Sequence, residues 1–311
     1  MEPEDFIVEE LIKLKECSGS YLYIKVKKRN WNTIDLINLI STRLNVRRKD
    51  IGFAGIKDKN AITTQYISVN NCNIEKINRL KIKDVELTPL FYGDKPIRMG
   101  DLIGNKFKIN LGFKTKKVDF IENYFGEQRF SKNNVDIARY ILKKDFKKAC
   151  ELIDHKDVNG HLSLNKNDFI GALKKVDRKL LGLIVGSYQS YLFNRYVCDY
   201  LKNFKDSYSH KGYIFVKKFK RNKEFKLLSF DNYDDYLNYL KEDSLNEDDL
   251  IVRSIPYVLF LDNKRKLFVK VSDFKVRGNT VEFSLPKGSY ATVVISKLES
   301  LILNNKFPKS L

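Results

Sequence analysis

The sequence predicts an α+β protein built on a mixed β-sheet, and three neighbouring segments carry that expectation. Tyr21 to Lys28 alternates, with Leu22, Ile24 and Val26 on one face and Tyr21, Tyr23, Lys25 and Lys27 on the other, the pattern of a half-buried strand. Asn32 or Thr33 then stands where a side chain caps a helix, and Ile37, Ile40 and Leu44 follow at helical spacing. Ile51 to Ile56 is a short apolar run that reads as a buried strand. Strand, helix and strand in that order predict a mixed layer, with the residues after Ile56 emerging at a strand end.

Those residues are Lys57-Asp58-Lys59, a single carboxylate between two cations. Gly52 and Gly55 bracket the strand end, where the backbone can approach a partner closely. A carboxylate on a tight turn with cations around it is held ionised and can act as nucleophile or base. A solvated Lys-Asp-Lys turn is the plain alternative. Thr63, Thr64 and Gln65 lead into a β-rich segment, Tyr66 to Val69.

Further along, Lys106 to Phe113 reads as a strand, Gly104-Asn105 as the turn entering it, and Phe120 to Tyr124 as part of a helix or its exit. The chain changes character after about residue 148. Lys174 to Leu201 is helical in pattern, with Leu180, Ile184, Tyr188, Tyr191 and Leu192 able to share a broad face. Lys211, Lys217, Lys218, Lys220, Arg221, Lys223 and Lys226 then crowd one segment against the single acid Glu224, interleaved with Tyr213, Phe215, Phe219 and Phe225. Residues 231–249 reverse the sign, with eight acids against Lys241. Strand signals return at Ile251 to Val258, Lys266 to Val271 and Thr280 to Phe283.

At 311 residues, 43% hydrophobic and 13% aromatic, the chain has ample material for a core, which excludes global disorder. A net charge of +19 points to a polyanionic partner, nucleic acid first and an anionic membrane second. Cys17, Cys72, Cys150 and Cys198 form no C-x-x-C pair, and His155, His161 and His210 are equally scattered, so no zinc site is expected and the thiols read as free. No apolar run approaches 18 residues and no apolar leader opens the chain, so the expected location is the cytoplasm.

Gly55, Lys57, Asp58, Ala61, Thr63 and Gln65 fill every fixed place of the pattern G-x-K-D-x-x-A-x-T-x-Q. Pro3-Glu-Asp-Phe-Ile-Val-Glu9, Lys28 with Asn32-Thr33, Gly104-Asn105 with Phe107, Asn123-Tyr-Phe-Gly-Glu-Gln-Arg-Phe130, Gln189-Ser-Tyr-Leu-Phe-Asn194 and Leu285-Pro-Lys-Gly-Ser-Tyr-Ala-Thr292 accompany it. Together these blocks resemble the TruD family of pseudouridine synthases along nearly the whole chain. The resemblance implies a pseudouridine synthase catalytic domain, 1–148 and 250–311, interrupted by a smaller insertion domain at 149–249. That arrangement would bring Asp58, Asn123 and Tyr290 into one domain.

The implied activity is conversion of uridine to pseudouridine in transfer RNA, with family precedent for position 13, by a cytoplasmic monomer that needs no cofactor, metal or obligatory protein partner. Asp58 takes the place of the nucleophile. Phe125 takes that of the aromatic lying against the uracil, and Asn123 offers donors and an acceptor to the uracil edge or to Asp58. Phe6 and Tyr290 hold the aromatic places bordering the substrate. Lys28 stands where it could contact phosphate, although a solvated lysine fits the sequence equally. Phe6 and Phe125 could also be core aromatics, Asn123 a helix cap, and Gln128 and Arg129 either structural partners or RNA contacts.

Two departures from the family pattern stand out. A basic residue usually precedes the proline of P-E-D-F by three positions and is expected to pair with the aspartate. The sequence given begins at Met1 and lacks that position, so either its true start lies upstream or another cation, such as Lys57 or Lys28, holds Asp58 ionised. Ser131 stands where the family prefers Gly, which predicts a different path after Phe130. The competing classes are an inactive RNA-binding protein or chaperone with the same fold, and a basic DNA-binding protein, for which no helix-turn-helix, zinc-finger or basic-zipper pattern is present.

Overall fold

A computed structural model of the chain describes residues 2–306 apart from 132, 259 and 261, so that 307–311 of the expected segment 250–311 lie outside the described residues. The chain divides into two compact units, one made of residues 1–120 and 270–291, the other of 121–269 and 292–311. The segment 149–249 falls wholly within the second.

The first unit is an eight-stranded mixed sheet. Its strands include β1 (Phe6–Leu11), β2 (Tyr21–Arg29), β3 (Ile51–Phe53), β4 (Ile62–Asn70), β5 (Val85–Gly93) and β6 (Gly104–Asn110), joined by Ser272–Arg277 and Thr280–Pro286 from the far end of the sequence. Within this sheet β1 and β4 are the parallel pair, in register Val8 to Thr63. β2 runs antiparallel to β4 along its full length, placing Lys28 opposite Thr63 and Val26 opposite Gln65.

Helix α1 (Thr33–Leu44) starts on Asn32, whose side chain accepts from the Ile34 N–H at 2.8 Å. It ends on Asn45 in the left-handed conformation, φ 53°, where Asn is tolerated better than most residues. Leu36, Ile37, Ile40 and Leu44 are its buried stripe, packed with Leu22, Ile24, Val26, Ile67 and Val69. The capped helix and the alternating strand therefore form as the sequence predicts.

The apolar run after residue 50 forms a shorter strand than expected. Only Ile51–Phe53 pairs with β4, at Ile67 to Val69, because β1 occupies the same edge of β4 at Ile62 to Thr64. Chain emerging beyond Phe53 leaves the sheet, and Ile56 is 62% exposed. Gly104 and Asn105 lie within β6 rather than in a turn; a Cβ at Gly104 would fall 2.2 Å from the Leu285 carbonyl oxygen of the neighbouring strand.

The second unit is mainly helical. Its core joins Ile137, Ile141 and Leu142 with Leu181, Ile184, Val185, Tyr188 and Leu192 of the long helix Arg178–Lys202, which Asp177 caps. Leu180, expected on the same apolar face, is 39% exposed one position off that stripe. Phe120–Glu122 is a strand paired with Phe268–Lys270 rather than a helix, since its partner lies far along the chain where local pattern cannot see it. Ile251 to Val258 is not a strand either. Ile255 and Val258 donate to the carbonyls of Val252 and Ile255, a run of turns, and Pro256 has no N–H to give a ladder. Ser131 adopts φ 49°, so the left-handed turn expected to be lost after Phe130 is formed by serine. No helix among the described residues is long and apolar enough to cross a membrane.

Candidate active site

Asp58 lies in the irregular segment between β3 and β4, on the exposed side of a tightly held loop. Three contacts fix that loop. The Lys57 N–H donates to Thr33 Oγ1 at 3.0 Å, at the first turn of α1, and the same hydroxyl donates to Gln65 Oε1 at 3.1 Å. Lys57 Nζ lies 2.6 Å from Glu10 Oε1, an ion pair that is almost completely buried. Glu10 Oε2 in turn accepts the Tyr66 N–H at 3.1 Å. Lys28 Nζ donates to the carbonyls of Trp31 at 2.6 Å and of Asp58 itself at 3.0 Å. The parallel β1–β4 pairing brings Glu10 here, and the β2–β4 register brings Lys28.

The electrostatics are opposed. Loss of water around the Asp58 carboxyl pushes its pKa above the usual value, while Lys28 first and then Lys57 pull it back down. Burial depresses Lys28 to about 8, partly offset by Asp58. A carboxylate stripped of part of its hydration but backed by cations is a better nucleophile than a surface aspartate.

Lys28 is therefore not a solvated lysine; it is 1% exposed. Phe6 and Tyr290 belong to the same unit as Asp58. Phe6, half-buried on β1, has its ring 6.2 Å from that of Phe107, and Tyr290, also half-buried, follows Thr280–Pro286 and precedes the last helix.

Asn123 and Phe125 belong to the second unit. Asn123 follows the strand Phe120–Glu122 and caps no helix. Its Nδ2 donates to the Lys266 carbonyl at 3.1 Å and its Oδ1 accepts from Arg265 Nη2 at 2.8 Å. Arg265 also donates to the Asn123 carbonyl at 2.6 Å and lies over the Phe125 ring, 4.0 Å from its centroid. Asn194 clamps the Phe125 backbone, accepting its N–H at 2.9 Å and donating to its carbonyl at 2.8 Å. The strand leading in is anchored by a buried ion pair, Lys297 Nζ to Glu122 Oε2 at 3.0 Å. Arg129 Nε donates to Ser190 Oγ at 3.0 Å, a structural contact.

Sequence reasoning missed Arg265, Asn194 and Glu10. Asn194 and Glu10 sit in or beside motif blocks, whereas Arg265 hides between Lys264 and Lys266 with no distinguishing signal.

A mixed sheet with a partly desolvated, cation-backed aspartate in the loop between two of its strands has the architecture of a pseudouridine synthase. A family model described as tRNA pseudouridine synthase D (TruD) matches residues 1–158 and 152–238, and the chain belongs to that family. An Aquifex aeolicus tRNA pseudouridine synthase D is 30% identical over 95% of this chain and 96% of its own. A Thermoplasma volcanium relative, described as a probable tRNA pseudouridine synthase D, is 29% identical over 96% of this chain and 93% of its own. A crystal structure from Methanosarcina mazei, of a chain assigned to TruD, shares the fold with a TM-score of 0.65 at 22% identity, covering 96% of this chain and 92% of that one.

Proposed function

We propose that this chain isomerises uridine to pseudouridine in transfer RNA, at position 13, with Asp58 as the nucleophile. The reaction breaks the N-glycosidic bond of uridine and rejoins the same uracil through carbon 5, with no net redox change, hydrolysis or group transfer. The observation that carries the reading is Asp58 itself, exposed in the loop between β3 and β4 while its carboxyl is partly desolvated beside Lys28 and Lys57. Family membership and the complete signature around Asp58 support it. Phe6, Asn123, Phe125 and Tyr290 are proposed to border the flipped base. Lys28 acts behind Asp58 rather than on a phosphate, in keeping with its burial. The catalytic domain is proposed as 1–148 and 250–311 with 149–249 inserted, in a monomeric, cytoplasmic protein.

Asp58→Asn should abolish tritium release from 5-tritiated uridine in tRNA while leaving tRNA affinity nearly unchanged, because Asn has the same shape but cannot attack. More than trace activity in that variant removes Asp58 from the role. An inactive wild type that still binds tRNA would instead favour an RNA-binding protein or chaperone with this fold. The pH dependence follows from the raised Asp58 pKa. Attack needs the ionised form, and a raised pKa delays ionisation as pH rises, so the acid limb of kcat should lie above the ordinary carboxylate range. Mapping pseudouridine in tRNA from cells with and without the gene tests position 13.

A further inference from the structure

We propose that Met99 is a wedge: its side chain enters the tRNA base stack beside the reacting uridine and fills the gap that the flipped base leaves. The proposal rests on the reading of this chain as a tRNA pseudouridine synthase acting through Asp58.

Met99 stands at the tip of a tight turn that the fold holds in place. The Arg98 N–H donates to Asp101 Oδ2 at 2.6 Å and the Asp101 N–H donates to the Arg98 carbonyl at 3.1 Å. Gly100, the third residue of the turn, has φ 92°, a conformation that favours glycine. Both flanks point inward. Ile97 is buried and donates its N–H to Ser68 Oγ at 2.9 Å, and Leu102 packs half-buried against the cluster of Tyr23, Ala54 and Ile97. Two further bonds tie the turn to the segments bordering the reacting base. The Gly100 N–H donates to the carbonyl of Ala54, four residues before Asp58, at 2.8 Å. The Gly100 carbonyl accepts from Nζ of Lys287, three residues before Tyr290, at 2.8 Å. The side chain left at the tip is 63% exposed.

Met99 does not stand alone. The large apolar side chains exposed in the first unit, among the described residues, are Ile56, Met99, Ile103 and Val276. The first three lie on the segments that these bonds join. Ile56 is two residues before Asp58. Ile103 donates its N–H to the Leu11 carbonyl at 2.7 Å and accepts the Lys287 N–H at 2.9 Å. Apolar groups gathered on a fixed backbone and facing water mark a surface with an occupant. The exposed cations Lys59, Arg98 and Lys287 stand on the same segments. Apolar side chains for base faces and cations for phosphates make a surface suited to an unstacked nucleic-acid strand. The reaction demands such a surface, because a uridine held in a stack cannot reach Asp58. Extruding it costs a few kcal/mol, and an apolar side chain inserted at the vacated step offsets part of that cost. An unbranched, polarisable thioether is well shaped to slide between ring planes.

The first test compares single-turnover rates of Met99→Ala and Met99→Leu on two RNAs. One is an unmodified tRNA transcript, the other a short single-stranded oligonucleotide carrying the same target uridine, with no helical stack to open. Met99→Ala should slow the transcript on the order of tenfold and the oligonucleotide hardly at all, and Met99→Leu should recover most of the rate. A Met99→Ala enzyme as fast as wild type on the transcript, or slowed equally on both RNAs, overturns the proposal. The second test needs no turnover. Met99 is the chain's only methionine besides Met1, so methyl-13C-methionine labelling gives two methyl signals, assigned with Met99→Leu. In Asp58→Asn, which leaves the uridine unconverted, the tRNA transcript should move the Met99 methyl signal upfield, as the ring currents of stacked bases require. A Met99 signal unmoved at saturating tRNA overturns the proposal. A wild type that makes no pseudouridine defeats the functional reading instead, and the methyl titration still decides whether Met99 meets the RNA bases.

Discussion

Phe125 shows how a single ring can be fixed without touching its own chemistry. Asn194 bonds both the N–H and the carbonyl of Phe125, so the backbone is set independently of the side chain. The ring meets Phe193 edge-on at 5.6 Å and lies beneath the guanidinium of Arg265, a cation–π contact that also orients the arginine. Arg265 is held as well by its bonds to the carbonyl and side chain of Asn123. Phe125→Ala should therefore remove ring stacking alone, costing about 1–3 kcal/mol in kcat with tRNA affinity nearly unchanged. Phe125→Tyr should keep most of the rate and Phe125→Leu should lose as much as Ala. A fully active Ala variant in single-turnover assays would make Phe125 a packing residue. Nothing in the sequence distinguishes these outcomes, because buried and base-facing phenylalanines look alike until their neighbours are known.

At the scale of elements, Gly52 and Gly55 separate two uses of glycine that the sequence presents as one. A Cβ on Gly52 would land 2.2 Å from the Ile97 carbonyl oxygen and 2.7 Å from Ser68 Oγ, where β3 crosses another strand connection. At Gly55 the nearest atoms would be Lys57 Nζ at 3.5 Å and Glu10 Oε1 at 3.9 Å, ordinary contact distances. Gly52→Ala should destabilise the protein by about 1–3 kcal/mol, because backbone must shift, whereas Gly55→Ala should leave stability nearly unchanged. Denaturant midpoints for the two variants check this, and equal midpoints would contradict it. The close partner at Gly52 is thus the protein's own backbone.

The same region shows what was legible. β2 and α1 were readable because alternation and a capped helical stripe are local signals, and the family was readable because the motif around Asp58 is dense. The early end of β3 was not, since it depends on β1 claiming the same edge of β4, a pairing between residues far apart in sequence. The strand Phe120–Glu122 failed for the same reason. Glu10 and Lys28 carry charges that usually mark a surface, and only their partners across the sheet explain why they are buried.

Across the whole molecule the net charge of +19 has to be divided between cations that hold the fold and cations that can meet RNA. The acids of 231–249 are met by the helical body, with Asp243 on Arg139, Glu242 on Arg195 and Asp249 on Lys144. The basic segment pairs elsewhere: Lys211 with Glu299 and Lys220 with Asp206. Lys217, Lys218, Arg221 and Lys223 are exposed, and Phe219 beside them is 54% exposed, which leaves charge and an aromatic face on the same stretch of surface. We expect these four cations to bind phosphate groups of the tRNA backbone. Neutralising any one of them should flatten the salt dependence of tRNA binding by roughly 0.7–0.9 in log–log slope. Replacing all four with Ser should weaken binding most at low salt and spare turnover at saturating tRNA, since none of them belongs to the Asp58 loop. Lys220 is kept in that variant because its pairing with Asp206 is structural, and changing it would mix a folding defect with a binding defect. A slope equal to that of wild type would leave the segment as solvated surface and assign phosphate binding to other lysines of this strongly basic chain.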